Sequence, residues 1–113
     1  MEPDVTIVEL NGHLNLGNTL ISIESSVKRL IDEGARKLVI DVTGLNYVDS
    51  AGIGMLVSCT GHMEKSGGRM RVAGAHGAVA KAFDVVHLHR ITPLDTDVAL
   101  ACGSIVADSA AAG

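Results

Sequence analysis

The sequence predicts an α/β protein with a mixed sheet whose inner strands are parallel, and three observations support this. Residues 5–16 have the alternation and the turn signal of a β-hairpin. After them, segments of helical and strand character alternate, which is typical of parallel strands joined by right-handed crossovers. The chain has 113 residues, 47% of them hydrophobic, with one Phe, one Tyr and no Trp. This length and composition predict one domain with an aliphatic core.

The first two elements are a hairpin and a helix. Val5–Leu10 alternates apolar and polar residues and ends at the Asn-Gly pair 11–12, a strong two-residue turn signal. His13–Leu16 is therefore predicted as a short return strand. From Asn18, apolar residues recur at helical spacing until Gly34, which predicts a helix with a glycine C-cap.

The middle of the chain reads as a strand, a helix and another strand. Lys37–Val42 is a nearly continuous apolar run, which indicates a central strand covered on both faces. A helix is predicted after Ser50, ending at residues 66–68, and Arg69–Gly74 follows as a short strand. The predicted apolar stripe of this helix is formed by Ile53, Leu56, Val57, Thr60 and Met63.

The last third of the chain predicts a helix, a strand and a helix. The apolar face of the first of these helices is predicted to be formed by Val79, Ala82, Phe83 and Val86, which recur at helical spacing. Ile91–Leu94 is predicted as the last strand, and a helix is expected from Thr96 to about Val106. The small residues from about 107 bury little, so that tail is expected to fray.

Composition excludes several classes of partner. A net charge of −4 and almost no aromatic side chains argue against nucleic-acid binding. No apolar run approaches the roughly 18 residues of a membrane span, and the first residues are acidic rather than basic, so we expect a cytoplasmic protein.

Cys59 and Cys102 have no CxxC spacing and lie among apolar residues of predicted helices, so both are expected to be buried free thiols.

Enzyme motifs do not fit. Ser50 is followed by a glycine two residues later, but Val48 stands where a nucleophile elbow requires the other glycine. Nothing in the spacing of the downstream histidines forces one onto Ser50; these are His62, His76, His87 and His89. No phosphate-binding loop with a Gly-Lys-Ser/Thr ending is present either. We therefore predict that the protein is not an enzyme and has no catalytic residues.

A metal or cofactor site is not indicated. His87 and His89 could share one face of an extended segment, but metals usually require three or more protein ligands, so a solvated loop is the favoured interpretation. Asp41 and Asp49 fit the end of a strand and a helix cap better than an acid and base pair. We expect no cofactor and no metal.

The segment 49–54, Asp-Ser-Ala-Gly-Ile-Gly, raises the main functional question. An Asp or Ser before an apolar periodic run is an ordinary N-cap, and the pattern alone favours a cap role for Ser50. Gly52 and Gly54 are unusual because each helical glycine costs up to about 1 kcal/mol relative to Ala. Two of them in one turn predict a surface kept bare for close approach.

The sequence "LVIDVTGLNYVDSAGIGMLV", followed by "GGRMRVAG" and "VAKAFDVVHL", resembles the STAS family of anti-sigma factor antagonists and their relatives. The resemblance covers Val5 to about Leu100. It implies one STAS domain over residues 1–113, with a mixed sheet of four or five strands and about four helices packed mainly on one side.

The resemblance also implies a bacterial partner-switching regulator of transcription. Ser50 would be phosphorylated by a partner anti-sigma factor serine kinase, and a PPM-type phosphatase would reset it. The unphosphorylated form would bind the kinase and free its sigma factor. The implied partner-binding residues are Asp49, Ser50, Ala51, Gly52, Ile53, Gly54 and Asn15.

One departure from the family leaves alternatives open. Asn15 stands where the family usually has an acidic residue, so the resemblance implies an altered family contact near the Ser50 loop. Related domains act as stressosome scaffolds, as tails of anion transporters, or as adaptors of lipid-transport ABC complexes. Without a membrane span, the free-standing scaffold or adaptor is the second interpretation.

Overall fold

The computed structural model describes the backbone of residues 5–112 and the side chains of residues 5–107. Its elements are β1 (Val5–Leu14), α1 (Asn18–Asp32), β2 (Lys37–Val48), α2 (Ser50–Lys65), β3 (Arg69–Ala73), α3 (Gly77–Val85), a 3-10 turn (Leu88–Arg90), β4 (Leu94–Asp95) and α4 (Val98–Ala112). These four strands and four helices confirm the predicted α/β fold class. The expectation drawn from the acidic first residues concerns 1–4, which lie outside the described part.

The sheet has the strand order β1-β2-β3-β4, and every strand pair within the described residues is parallel. Each strand therefore lies beside the one before it in the sequence. Every connection moves the chain by one strand position toward the same edge of the sheet. Crossovers of one hand then place the connecting helices α1, α2 and α3 on a single face. Buried residues from all three helices share one core with β2 and β3, while α4 packs on the opposite face. The prediction of helices mainly on one side is confirmed.

The predicted hairpin is wrong, and the antiparallel strand pair expected from it is not found in residues 5–112. β1 continues through Asn11 and Gly12 as one strand parallel to β2. Gly12 does have the positive φ of a turn glycine, at 82°, but the chain uses it where the pairing with β2 shifts register. A bulge of this kind needs the same residues as a tight turn. Opposite it, a Cβ on Gly44 would overlap the Asn11 side chain, so the two strands approach closely there.

The core has a large and a small part, one on each face of the sheet. On the α1–α3 face, the largest fully buried side chains include Phe83, Ile31, Leu38, Ile40, Leu56 and Met63. On the other face, Val39 and Ala73 of the sheet are covered by Ala101 and Ile105 of α4. The two faces of β2 are thus both buried, as its apolar sequence predicts, and β2 lies between β1 and β3.

Several element boundaries differ from the sequence prediction. β2 does not end near Val42 but continues to Val48, so it leads almost directly into α2. β4 is Leu94–Asp95 rather than 91–94, and the α4 backbone stays helical beyond Val106, to Ala112. The expected fraying concerns a tail whose side chains, from residue 108 on, lie outside the described part. Val86 was expected to be buried but is 48% exposed.

Polar contacts fix α2 against its neighbours. The Ser58 hydroxyl donates to Glu24 Oε2 of α1 at 3.1 Å, and His62 Nε2 lies 2.8 Å from Asp32 Oδ1 at the other end of α1. On the inner side of α2, the buried hydroxyls of Thr60 and Thr92 are 2.7 Å apart. α2 is therefore held both to α1 and to the segment before β4.

The two cysteines are free thiols, as predicted. Cys59 is fully buried, and this burial raises the pKa of its thiol to about 11. Cys102 is only half-buried, less than expected. A protonated, enclosed Cys59 is a packing residue rather than a nucleophile.

Candidate functional site

The site begins where β2 ends and α2 starts, and Asp49 organises it. Asp49 has an extended backbone and is the N-cap of α2. Its Oδ1 accepts the Gly52 N–H at 2.9 Å, and its Oδ2 accepts the Leu16 N–H at 3.1 Å. Its own N–H donates to the Leu14 carbonyl at 3.1 Å. Asp49 therefore joins α2 to the end of β1, which confirms its predicted cap role.

The hydrogen bonds to Asp49 also set its charge. The Gly52 amide and then the Leu16 amide lower the pKa of the Asp49 carboxyl, with the Ala51 amide adding to the effect. A carboxylate that accepts several backbone N–H groups stays ionised. One amide at the start of α2, that of Gly52, is thus already used by a side chain of the same protein.

Ser50 is not the cap, which corrects the favoured sequence interpretation. It is the first residue of α2 and is exposed. Its hydroxyl has no hydrogen-bond partner among the described residues. Asp49 is the cap because its backbone is extended just before the first helical residue and its carboxylate accepts the Gly52 amide, with the Leu16 amide as a second donor. Ser50 is left as a solvent-facing nucleophilic hydroxyl without a structural task.

The two glycines of the turn have different surroundings. Gly52 is buried, and a Cβ there would lie 2.5 Å from the Leu14 carbonyl oxygen and 2.8 Å from Val48 Cγ2. The close approach at Gly52 is therefore made by β1 and β2 of the same chain. Gly54 is exposed and a Cβ there would meet nothing within 4 Å. Only Gly54 keeps a bare outer surface, so the expectation that both glycines do so is wrong for Gly52.

The remaining predicted site residues lie at the same end of the molecule. Ala51 and Ile53 are partly buried and pack against the main core. Asn15 is exposed in the β1 to α1 connection, next to Leu16, whose amide binds Asp49. The fold thus brings Asn15 close in space to the start of α2, although the two are distant in sequence.

An open groove of about 410 Å³ runs between the start of α2 and helix α3. Its α2 side is formed by Val48, Asp49, Ser50 and Ile53, and its α3 side by Ala78, Lys81, Ala82, Val85 and Val86. We call this the α2–α3 groove. Val85 is 71% exposed and Val86 is 48% exposed, which is high for apolar side chains. The groove offers an apolar surface with a serine hydroxyl at its rim.

The α3 side of the groove was missed by sequence reasoning. Two of its residues, Ala82 and Val86, were placed on the predicted apolar face of the helix, whose other members, Val79 and Phe83, are indeed buried. The Val85-Val86 pair is no signal of an exposed surface, because consecutive apolar residues can share the buried face of a helix, as Met55 and Leu56 of α2 do. That α3 lies beside the start of α2 follows only from the parallel strand order.

The histidines do not assemble a catalytic or metal site with Ser50. His62 binds Asp32, and His76 Nε2 lies 2.8 Å from the Thr43 carbonyl oxygen. The exposed rings of His87 and His89 are 5.9 Å apart. Within residues 5–112, no three His, Cys, Asp or Glu side chains converge as metal ligands would. Asp41 accepts the Thr43 amide and hydroxyl at 3.0 and 2.6 Å, so it is a structural residue, but it lies within β2 rather than at the predicted strand end.

A family model described as the STAS domain matches residues 1–101 of the chain. Among solved structures, the Thermotoga maritima protein TM1081, assigned as an anti-sigma factor antagonist, superposes with a TM-score of 0.83 at 21% identity, over 93% of this chain and 90% of that one. These values show a common fold along nearly the whole chain.

Two further solved structures with this fold have different settings. The phosphorylated form of the Bacillus cell fate determinant SpoIIAA gives a TM-score of 0.65 at 19% identity, over 82% of this chain and 84% of that one. The STAS domain of a Vibrio cholerae SulP transporter gives 0.77 at 13% identity, over 98% and 88%. In the present chain, none of the helices within residues 5–112 has the length and apolar character needed to cross a membrane. At such identities the likeness concerns the fold alone.

Proposed function

Because this chain belongs to the STAS domain family, we propose that it is an anti-sigma factor antagonist whose binding is switched at Ser50. In its unphosphorylated form it binds an anti-sigma factor serine kinase and so frees the sigma factor. Transfer of phosphate from ATP to the Ser50 hydroxyl ends this binding, and a PPM-type phosphatase restores it. The protein would act in the bacterial cytoplasm as a regulator of transcription, not as an enzyme.

One observation carries this proposal: the Ser50 hydroxyl is exposed and without a partner at the rim of an apolar groove. A kinase can reach such a hydroxyl without unfolding the helix, since Asp49 rather than Ser50 holds the helix start. The similar fold of SpoIIAA, which has been seen in a phosphorylated form, adds support.

The α2–α3 groove is the proposed docking surface. Its exposed apolar residues Val85 and Val86, together with the partly buried Ile53, suit a small reversible interface. Gly54 offers a bare helix surface beside it, and Asn15 and Ala51 flank the same end. Asp49 and Gly52 contribute by fixing the turn that presents Ser50.

A phosphate at Ser50 would change this surface strongly. It adds about 1.5 to 2 negative charges to the rim of an apolar groove. A partner that buries its own groups against Ile53 and Val85 would have to desolvate that dianion, which disfavours binding.

The direct test is to incubate the full chain with ATP and a lysate of its source bacterium and to map any phosphate by mass spectrometry. We expect one phosphate, on Ser50, and none in Ser50→Ala. Ser58→Ala is the matched control, because Ser58 lies on the same helix but its hydroxyl is bound to Glu24. This control should still gain one phosphate.

Two results would contradict the proposal. Phosphate found only on Thr43 or Ser58 would refute the assigned residue. Recovery of an ABC-transporter ATPase or a stressosome component on the immobilised chain, with neither kinase nor phosphate, would instead favour the scaffold or adaptor function.

A further inference from the structure

The α2–α3 groove is lined by two charged side chains, Asp49 and Lys81. Of these two, only Asp49 forms hydrogen bonds within the described residues. Asp49 lies on the α2 side, where its two carboxylate oxygens accept backbone amides. Lys81 lies on the α3 side and is exposed. Within the described residues Lys81 has no hydrogen bond and no ion pair, in contrast to Lys28, which binds Glu24 at 2.8 Å.

A phosphate on Ser50 needs cationic or N–H partners, and the start of α2 has few to give. Helix N-termini usually supply free amides to a phosphate. Here the carboxylate of Asp49 already takes the Gly52 amide, at 2.9 Å. The negative charge of Asp49 further repels a dianion at the neighbouring residue. The phosphate is therefore driven away from its own helix end, toward the opposite side of the groove.

We propose that Lys81 holds the phosphate of phosphorylated Ser50 across the α2–α3 groove. This inference rests on the proposed function only in taking Ser50 as the phosphorylated residue. An ammonium group binds a phosphate as a compact point charge with three donors, and the long side chain of Lys81 is free to turn toward it. The phosphate would then lie in the groove that Ile53 and Ala82 also line.

The consequence concerns how the switch works. If the phosphate is drawn into the groove, it occupies the apolar surface that a partner would use. The switch then acts by filling the docking site as well as by changing its charge. Lys81 is in this scheme a positioning residue, which acts only after phosphorylation.

The test uses the full chain with phosphoserine placed genetically at position 50, so that no kinase is needed. The second pKa of the phosphate, about 6 in free phosphoserine, is followed by ³¹P NMR between about pH 5 and pH 8. A nearby ammonium stabilises the dianion and lowers this pKa. We expect Lys81→Gln to raise the pKa of the phosphate by roughly 0.2 to 0.7 unit, the size expected for one exposed ion pair.

Lys65→Gln is the matched control. It removes the same charge from the last residue of the 16-residue helix α2, roughly 22 Å from Ser50 along the helix axis. The phosphate pKa should stay within about 0.1 unit of wild type, because such a distance exceeds the screening length. Equal values in the two variants would overturn the inference about Lys81. A failure of the proposed function would appear elsewhere, as the absence of phosphate on Ser50 after incubation with lysate and ATP.

Discussion

The inward and outward sides of the first turn of α2 are made for different tasks. On the inward side, Asp49 makes two hydrogen bonds to Leu14 and Leu16 at the end of β1 and a third to Gly52, which lies against the Leu14 carbonyl. On the outward side, Ser50 and Gly54 face solvent and Ser50 makes no bond within the described residues. Along the chain, the residues that contact β1 (Asp49 and Gly52) thus alternate with those that face solvent (Ser50 and Gly54). Substitutions on the inward side should therefore change stability, and those on the outward side should change binding.

The largest effect on stability is expected for Gly52→Ala. Its new methyl group would approach the Leu14 carbonyl, a backbone atom that also accepts the Asp49 amide, so the end of β1 has to shift. Overpacking of this kind costs about 1 to 3 kcal/mol, more than the gain of up to about 1 kcal/mol from a better helix former. We expect a net loss of about 1 to 2 kcal/mol in the free energy of unfolding, measured with urea.

Gly61→Ala is the control for this prediction, since Gly61 lies on the same helix and a Cβ there meets nothing within 4 Å. It should stabilise the protein or leave it unchanged. If Gly52→Ala were as stable as Gly61→Ala, the inward side would not be tightly packed.

A smaller, pH-dependent effect is expected at Asp49. Its folded-state pKa is lowered, first by the Gly52 amide, so its charge stabilises the fold above the unfolded pKa of about 3.9. That contribution is lost as pH falls through the lower folded-state value. Asp49→Asn keeps a cap without the charge, so its deficit in melting temperature should be largest near pH 7 and shrink below about pH 4. A deficit that stays constant down to about pH 2.5 would contradict this role.

On the outward side, Gly54→Ala should move stability and binding in opposite directions. The exposed helix position gains about 0.5 to 1 kcal/mol from Ala. The added methyl group obstructs a partner that packs on the bare surface, so affinity for the proposed anti-sigma factor kinase, measured by titration calorimetry, should fall. Gly61→Ala should give a similar gain in stability at unchanged affinity. Full affinity of Gly54→Ala would place this residue outside the interface.

The smallest change in stability is expected for Ser50. Because Asp49 is the cap, Ser50→Ala should change the free energy of unfolding by less than about 0.5 kcal/mol, as for other exposed positions. Under the proposed function, this variant should bind the kinase without regulation. Ser50→Asp should fold equally well but bind poorly, since it places a charge at the groove rim. A loss near 1 kcal/mol in Ser50→Ala would mean that Ser50 caps the helix after all.

Local patterns predicted the helices well because their signals are short-range. Helix α1 begins at Asn18 and ends just before Gly34, where φ is +117°, as the spacing and the glycine predict. The Asn-Gly pair at 11–12 was misread for the same reason: a bulge and a turn require the same backbone freedom. Only the pairing of β1 with β2 decides between them, and this pairing spans a whole helix.

The candidate site was predicted in part. The Asp49 cap and the region around Ser50 follow from one continuous segment. The burial of Gly52 does not, since it depends on Leu14 from another strand. Lys81, Val85 and Val86 likewise join the site only because β3 lies beside β2, which puts α3 next to α2. Sequence spacing could not locate a groove whose two sides come from different crossovers.

The strand order also has a consequence for synthesis on the ribosome. Because each strand pairs with the one made just before it, the sheet and its α1–α3 face can assemble as the chain emerges from its N-terminal end. On the opposite face, Val39 and Ala73 pack against Ala101 and Ile105 of α4, the last element described. A nascent chain that has completed β4 therefore carries an apolar strip on one face of its sheet. Until α4 leaves the exit tunnel, a ribosome-associated chaperone would have to shield that apolar strip.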